Sequence, residues 1–370
     1  MKTDDQADGR TAMRSVHTVS FAQILADRKI SLLVSTYQAG KLVVLRSDGA
    51  EGVNTHFCGF EKPMGVAAEG GRLAVGTAVD IREYHNVPAA AAQLEPRGRH
   101  DAAYAHRMTH VTGNIQVHEM AWIGQELWFV NTRFSCLCTR GEAHNFIPRW
   151  RPMFVSALAP EDRCHLNGLA VSDGIARYVT ALGKTDSAAG WRANKAHGGV
   201  VIDITVNQIV ASGLSMPHSP RVRDGKLWVM ESGKGEIGVL DVPSGRMQTV
   251  ARLPGFTRGL SFHGPLAFIG LSQVRETAQF SGIPIAEVPL EDRFCGVWVI
   301  DTRSGQIVAF LKFQDAVQEI FAVEVVEHRY PDLIAEGPAL NDTFVLPEEA
   351  LADVPATVRD LRGPGNATGA

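Results

Sequence analysis

Short apolar runs separated by Gly, Asp and Asn turns recur along nearly the whole chain. In the clearest copies, an apolar run of strand length is followed by a tight turn and a second run, and then by a third and a fourth. One copy begins at His218 with "HSPRVRDGKLWVMES" and continues with "EIGVLD" and "MQTVAR". The unit recurs at a period of roughly 40 to 60 residues, and four antiparallel strands per unit is typical of a β-propeller blade.

The two ends of the chain complete this pattern. "EIFAVEVV" from Glu319 resembles a first strand without partners after it, whereas "SLLVSTYQAGKLVVLR" from Ser31 resembles second and third strands without a first. Pairing the two segments closes the ring and removes the open sheet edges. Seven blades or a pair of β-sandwiches also fit the strand count, but the complementary ends favour six.

We therefore predict an all-β fold, a six-bladed β-propeller over residues 28–345 whose ring is closed by pairing the N-terminal strands with the C-terminal first strand. Residues 1–27 are expected to form a polar arm with a short helix, and residues 346–370 a mobile tail rich in Pro, Ala and Gly. Residues 87–110 have little strand character and are expected to be an insertion in the blade that begins near Met64.

Polar residues recur where the first strand of each unit begins. In a propeller these strands line the central channel, so their first residues meet near one mouth. Superposing the copies places the following residues there: Met64, His118, Asn167, His218, Arg258 and Glu319. His165 precedes Asn167 by two positions and is expected on the same side of its strand.

This ring of side chains suggests a metal-binding or catalytic site at the channel mouth. Neutral imidazoles beside a carboxylate suit Zn, Fe or Cu, so we predict a divalent transition metal as cofactor. The metal ligands would be His118, His165 and His218. Glu319 would be a base or fourth ligand, Asn167 an orienting group, and Arg258 an anchor for an anionic substrate.

Two long loops, residues 181–199 and 271–296, are expected to overhang this mouth. They supply three candidate substrate-binding residues: Trp191, Arg192 and Arg275. The leading hypothesis is a metal-dependent hydrolase, lyase or oxygenase that acts on a small carboxylated metabolite or a peptide.

Two alternatives remain open at this point. Channel residues often only hydrogen-bond water and backbone, so the ring also fits a non-catalytic scaffold that binds a protein or peptide. His and Glu side chains also fit a metal-free lyase or isomerase that uses acid–base chemistry.

Composition narrows the classes of partner and compartment. A net charge of -4 gives no electrostatic reason to expect nucleic acid or an anionic membrane as a partner. The acidic, polar N-terminus lacks the apolar core of a signal peptide. Five cysteines, an odd number, suit reduced thiols and a cytoplasmic location.

Five stretches of sequence are distinctive: "PEDRCHLNGLA", "MPHSPR", "PGFTRGL", "CGVWVID" and "QEIF". They resemble an uncharacterised bacterial family known as TIGR03032 or DUF4915, and the resemblance covers about residues 31–331. These stretches contain His165, Asn167, His218, Arg258 and Glu319. Ala322 departs from the acidic residue expected in the family pattern. The family name carries no assigned activity, so this resemblance implies no function.

More distantly, the layout resembles six-bladed propellers of the NHL, gluconolactonase and strictosidine-synthase types. Several of these hold a metal at the channel mouth, and a peptide-amidating lyase of similar fold carries zinc on histidines from separate blades. This resemblance implies a metal site only by analogy of fold. An imidazole-rich ring suits a transition metal better than the oxygen-rich calcium sites of lactonases.

Overall fold

A computed structural model describes residues 13–49, 51–274, 281–314, 316–335 and 337–355. In chain order its strands are β1 (Ser15–His17), β2 (Ser31–Thr36), β3 (Lys41–Asp48), β4 (Gly52–Gly59), β5 (Val66–Glu69), β6 (Arg72–Gly76), β7 (Asp80–Asn86), β8 (Ala102–Val111), β9 (Val117–Ile123), β10 (Glu126–Asn131), β11 (Cys136–Thr139), β12 (Ile147–Trp150), β13 (Leu166–Ser172), β14 (Ile175–Ala181), β15 (Gly199–Asp203), β16 (Gln208–Leu214), β17 (Pro217–Arg223), β18 (Lys226–Glu231), β19 (Glu236–Asp241), β20 (Arg246–Arg252), β21 (Phe256–His263), β22 (Leu266–Ser272), β23 (Gly296–Asp301), β24 (Ile307–Phe313), β25 (Ala322–Val326) and β26 (Pro331–Ile334).

Helices are short within the described residues. The α-helices are α1 (Val19–Arg28), α2 (Pro88–Ala91), α3 (Pro338–Asn341) and α4 (Glu348–Leu351). Single 3₁₀ turns occupy Gly190–Asn194, Ser232–Lys234, Pro284–Glu287 and Leu290–Asp292. None of the helices in these ranges is both long and apolar enough to span a bilayer.

The described strands form six sheets arranged as the blades of a propeller. Blade 1 contains β5 to β8, blade 2 β9 to β12, blade 3 β13 to β16, blade 4 β17 to β20, and blade 5 β21 to β24. Blade 6 combines β25 from the C-terminal part of the chain with β2, β3 and β4 from the N-terminal part. The predicted closure is therefore confirmed, with Val34 paired to Val323 in an antiparallel ladder.

Blade packing explains why the inner strands are apolar on both faces. In β18, Leu227 and Val229 pack toward blade 3, whereas Trp228 and Met230 pack toward blade 5. Each pair of neighbouring blades shares such a cluster of buried side chains around the ring. A strand buried on both faces loses the alternation of apolar and polar residues, and burial of these side chains drives the blades together.

The segments that flank the repeats extend two blades. Within the predicted arm, β1 pairs with β24 as an extra outer strand of blade 5. Helix α1 is capped by the Thr18 hydroxyl and buries Phe21 and Leu25 between blades 5 and 6. After blade 6 is complete, β26 adds to blade 1 by pairing in parallel with β8.

The expectation of an insertion at residues 87–110 was wrong for its second half. Residues 102–111 form β8, the fourth strand of blade 1, whose register with β7 runs from Asp80–Val111 to Asn86–Tyr104. This strand begins with small, buried residues (Ala102, Ala103), and such residues carry little of the β-branched signal by which strands are predicted.

Candidate functional site

A cavity of about 500 Å³ opens at one mouth of the channel. First-strand residues of several blades line it together with residues of the connecting loops. The lining residues are Tyr37, Gln38, Met64, Gln116, His118, Asp162, His165, Leu182, Arg192, Met216, His218, Phe256, Arg258, Glu319 and Phe321.

Two neighbouring groups hold the imidazole ring of His118 through its Nδ1 atom. Its Nδ1 lies 2.9 Å from the carbonyl oxygen of Gln116 and 2.8 Å from the Thr132 hydroxyl. A carbonyl oxygen only accepts hydrogen bonds, so Nδ1 carries the hydrogen and Nε2 keeps its lone pair. The Thr132 hydroxyl in turn donates to the Leu166 carbonyl oxygen at 2.6 Å and so holds the ring against blade 3.

His218 repeats this arrangement two blades away. Its Nδ1 lies 2.9 Å from the carbonyl oxygen of Met216 and 3.0 Å from the Ser232 hydroxyl. The sequence offsets are those of His118, with a carbonyl two residues before the histidine and a hydroxyl fourteen after. Gln116 and Met216 both have left-handed backbone, with φ of 53° and 47°. Non-glycine residues in this conformation are strained and concentrate at functional sites.

His165 is held by a carboxylate instead. Its Nδ1 lies 2.9 Å and 3.0 Å from the two oxygens of Asp162, and the Trp191 indole donates to Asp162 Oδ2 at 2.9 Å. The His118 and His165 rings meet edge to face, with centroids 4.9 Å apart. A carboxylate that accepts from Nδ1 raises the basicity of Nε2, and it is a common support of metal-binding histidines.

Arg258 and Glu319 supply the charge in the cavity. Arg258 Nη1 lies 3.5 Å from Glu319 Oε1, and the guanidinium carbon lies 3.4 Å from the centre of the Phe321 ring. Burial lowers the pKa of Arg258 to about 10, against the opposing charge of Glu319, so the guanidinium is cationic at neutral pH. Burial also raises the pKa of Glu319, and Arg258 opposes that rise.

The electrostatics keep two of the histidines neutral. Burial, followed by the charge of Arg258, holds the pKa values of His118 and His218 well below the usual range. Both imidazoles therefore present an unprotonated Nε2 at neutral pH. Such an atom can bind a metal, accept a hydrogen bond or take a proton.

The structure gathers six of the seven residues predicted at the mouth around one cavity: Met64, His118, His165, His218, Arg258 and Glu319. From the loop residues, Arg192 lines the cavity, whereas Trp191 is buried behind Asp162. Arg275 lies outside the described residues.

Asn167 is not among the lining residues. Its amide donates to the Pro217 carbonyl oxygen at 3.0 Å and accepts from the Thr180 hydroxyl at 2.6 Å, which ties blade 3 to blade 4. The expectation that His165 shares its side of the strand does not hold. His165 has a left-handed φ of 50° and lies outside β13, so strand alternation does not reach it.

A family model described as "Domain of unknown function (DUF4915)" matches residues 19–334, most of the chain. The chain belongs to the DUF4915 family. None of the curated proteins matches it. One similar solved structure is a propeller from the "Crystal structure of Nidogen/Laminin Complex", with a TM-score of 0.50 and 10% identity, covering 81% of this chain and 99% of that chain. A computationally designed protein, Ika8, gives a TM-score of 0.35 and 13% identity, covering 78% of this chain and 73% of that chain. At 10% identity, the similarity to the first structure concerns the fold alone.

The cavity of this DUF4915 chain depends on residues that the repeat did not reveal. Asp162, Gln116 and the hydroxyls of Thr132 and Ser232 lie in loops or at strand ends, outside the first-strand positions that were compared. The shared offset of fourteen residues from histidine to hydroxyl is a signal that could have found the last two.

A second layer of charge crosses the channel, formed by first-strand residues of blades 2, 4 and 6. Arg221 Nη2 lies 2.5 Å from Glu119 Oε1 and 3.4 Å from Glu324 Oε1. The Ser261 hydroxyl donates to the other Glu324 oxygen at 3.4 Å. Burial, partly offset by Arg221, raises the pKa of Glu324 to about 7. The first strands are thus joined by ionic contacts as well as by blade packing.

The spacing of the three histidines bears on metal binding. Across the described residues, one group has candidate ligand atoms that all lie within 4.8 Å of one another, and it consists of His56, Cys58 and Asp332. A tetrahedral zinc site, with Zn–N distances of about 2.0 to 2.1 Å, brings its nitrogens to roughly 3.4 Å from one another. The imidazoles at the mouth must therefore move closer together to share one ion.

Proposed function

We propose that this DUF4915 protein is a metal-dependent enzyme whose site lies at the channel mouth and takes a small carboxylated metabolite or a peptide. One observation carries the proposal: in each of His118, His165 and His218, a carbonyl or carboxylate acceptor engages Nδ1 and leaves Nε2 free. Imidazoles held through Nδ1 in this way suit Zn, Fe or Cu as ligands through Nε2. The five free cysteines fit a reducing compartment such as the cytoplasm.

The donor set is consistent with such a metal. His118 and His218 are neutral without an ion, so binding needs no loss of a proton from either ring. Asp162, Thr132 and Ser232 support the rings from behind, as outer hydrogen bonds do in metal sites. A bound transition metal would supply Lewis acidity, which polarises a carbonyl or lowers the pKa of a bound water.

The remaining residues would handle the substrate and its protons. Within the described residues, Arg258 has Glu319 as its side-chain partner through a single long contact, and its guanidinium has further donors for a substrate carboxylate. Glu319 has a raised pKa and could hold or accept a proton near the reacting group. Arg192, on the overhanging loop, adds a second cation at the entrance.

Metal analysis of the purified protein tests the proposal. The wild type should bind Zn²⁺, Fe²⁺ or Cu²⁺, and a variant with His118→Ala and His218→Ala should lose one equivalent while its circular dichroism is unchanged. A matched control with His85→Ala and His144→Ala, both exposed in the structure, should keep the wild-type metal content. Equal metal content in the mouth variant and the control would overturn the proposal.

A specific observation favours a second candidate, a metal-free lyase or isomerase. The mouth histidines are not close enough to hold an ion as they stand. The His165–Asp162 pair and Glu319 line the same cavity and resemble a base and an acid. This candidate predicts activity that resists chelators and follows a bell-shaped pH profile. A binding scaffold without chemistry would show neither metal nor activity.

A further inference from the structure

A second cluster of ligand-type side chains lies at the outer edge of blade 6, away from the channel cavity. His56 and Cys58 are two residues apart on β4 and share one side of that strand. Asp332 comes from β26, more than 270 positions further along the chain. The imidazole, the thiol and the carboxylate offer ligand atoms that all lie within 4.8 Å of one another.

The cluster is preorganised by contacts to the Asp332 carboxylate. His56 Nε2 lies 3.1 Å from Asp332 Oδ1. On the other oxygen, His100 Nε2 lies 3.2 Å and Arg46 Nη1 lies 3.4 Å from Asp332 Oδ2. The His100 side chain is 1% exposed, and its Nδ1 has no hydrogen-bond partner within the described residues. These contacts fix the carboxylate, and its Oδ1 also accepts from the Leu333 N–H at 2.8 Å.

His56 and Asp332 stabilise each other's charged form within this cluster. The hydrogen bond to Asp332, followed by that to Cys58, raises the pKa of His56 to about 9. Burial acts to raise the pKa of Asp332, but the hydrogen bond and charge of His56 outweigh it and bring that pKa to about 2. The His56 side chain is 38% exposed and that of Asp332 is 17% exposed, so the cluster is open to solvent.

We propose that His56, Cys58 and Asp332 bind a divalent transition metal, with Zn²⁺ as the preferred ion, and that the metal clamps strand β26 to blade 6. One nitrogen, one thiolate and one carboxylate oxygen are ligands that zinc accepts, and a water would complete a tetrahedral shell. Because β26 also pairs with β8, the ion would join the last strand, blade 6 and blade 1.

Cobalt serves as the probe, because a thiolate ligand gives Co²⁺ an intense near-ultraviolet charge-transfer band that imidazole and carboxylate ligands do not give. The reduced wild-type protein should show this band on titration with Co²⁺, and Zn²⁺ should abolish it by displacement. The variant with His118→Ala and His218→Ala should show the same band, since the described residues that line the channel cavity include no cysteine. This result keeps the test independent of the proposed function.

Two variants test the ligands. Cys58→Ser, a nearly isosteric change at a partly exposed position, should abolish the thiolate band and leave the fold intact. Asp332→Asn should weaken Co²⁺ binding by tenfold or more, whereas Asp342→Asn, at an exposed position, should leave it unchanged. A reduced wild type without the band under excess Co²⁺, or a band that survives in Cys58→Ser, would overturn the proposal.

Discussion

Replacing Glu324 by Gln should remove a pH dependence of folding stability that originates in the channel. In the folded protein the pKa of Glu324 is about 7, against an ordinary value of 4.5, because burial disfavours the carboxylate more than Arg221 stabilises it. The folded state thus holds this proton more tightly than the unfolded chain. The associated stability is complete below pH 4.5 and is lost as the pH rises through about 7.

The size of the effect follows from the two pKa values. At ~1.4 kcal/mol per pKa unit, the difference between 4.5 and about 7 corresponds to about 3 kcal/mol. The Glu324 side chain is 16% exposed, so solvent screens this energy only slightly. A neutral glutamine cannot titrate and keeps a carbonyl oxygen for Arg221. Relative to wild type, Glu324→Gln should become progressively more stable from pH 4.5 to about pH 8, by about 3 kcal/mol in total.

Urea unfolding at several pH values in this range measures the difference directly, and contributions from other titrating groups cancel between variant and wild type. Glu327→Gln removes the same charge at an exposed position three residues away and serves as the control. That control should shift stability by less than ~0.5 kcal/mol at every pH. If the Glu324→Gln difference is equally flat with pH, the carboxyl is not the buried, proton-retaining group inferred here.

Three further substitutions test closure and support of the site. The Ser35 hydroxyl donates to the Met64 carbonyl oxygen and accepts from the Ala322 N–H where the ring closes. Ser35→Ala should therefore lower the free energy of unfolding by ~1–3 kcal/mol in urea titrations. A loss near zero would contradict this role. Thr132→Val removes the outer support of His118 and should weaken metal binding ~10–100-fold in chelator competition, with an unchanged affinity as the contrary result. Gly65→Ala places a methyl group against the His118 backbone carbonyl, where blades 1 and 2 meet. This clash should lower the free energy of unfolding by ~1–3 kcal/mol, measured by thermal unfolding. A neutral effect would show that the two blades can move apart at this contact.

Ring closure was predictable because the repeat leaves a signature at both ends of the chain. Strands β2 and β3 are too apolar to form a free edge, and β25 lacks partners after it, so each segment needs the other. The same equivalence between blades predicted which first-strand residues reach the mouth. His118, His218 and Arg258 lie there because the channel axis imposes one geometry on every inner strand.

The alignment of repeats fails where the backbone leaves the regular strand. Asn167 occupies the equivalent position in blade 3, but its amide is used between blades, and His165 turns into the cavity through its left-handed backbone. Such conformations are set by loop packing and are not encoded in a period of two. Asp162 belongs to the same irregular segment, which explains why the carboxylate behind His165 was not predicted.

The cluster of His56, Cys58 and Asp332 could not be predicted from the sequence for a different reason. His56 and Cys58 stand in an outer strand, and Asp332 in a strand that follows the last repeat. Among the strands that the structure describes, the parallel pairing of β26 with β8 has no counterpart in the other blades, so comparison of repeats gives it no register. Tertiary packing at the end of the chain brings these residues together.

Anomalous X-ray diffraction from crystals of the purified protein, recorded on both sides of the Zn, Fe and Cu absorption edges, shows whether His118, His165 and His218 share one metal ion. We expect an anomalous peak in the channel cavity at about 2.0 to 2.1 Å from Nε2 of His118, His165 and His218, for zinc as the ion. Crystals grown with the metal supplied that show no peak at the mouth, with the three imidazoles still apart, would contradict it.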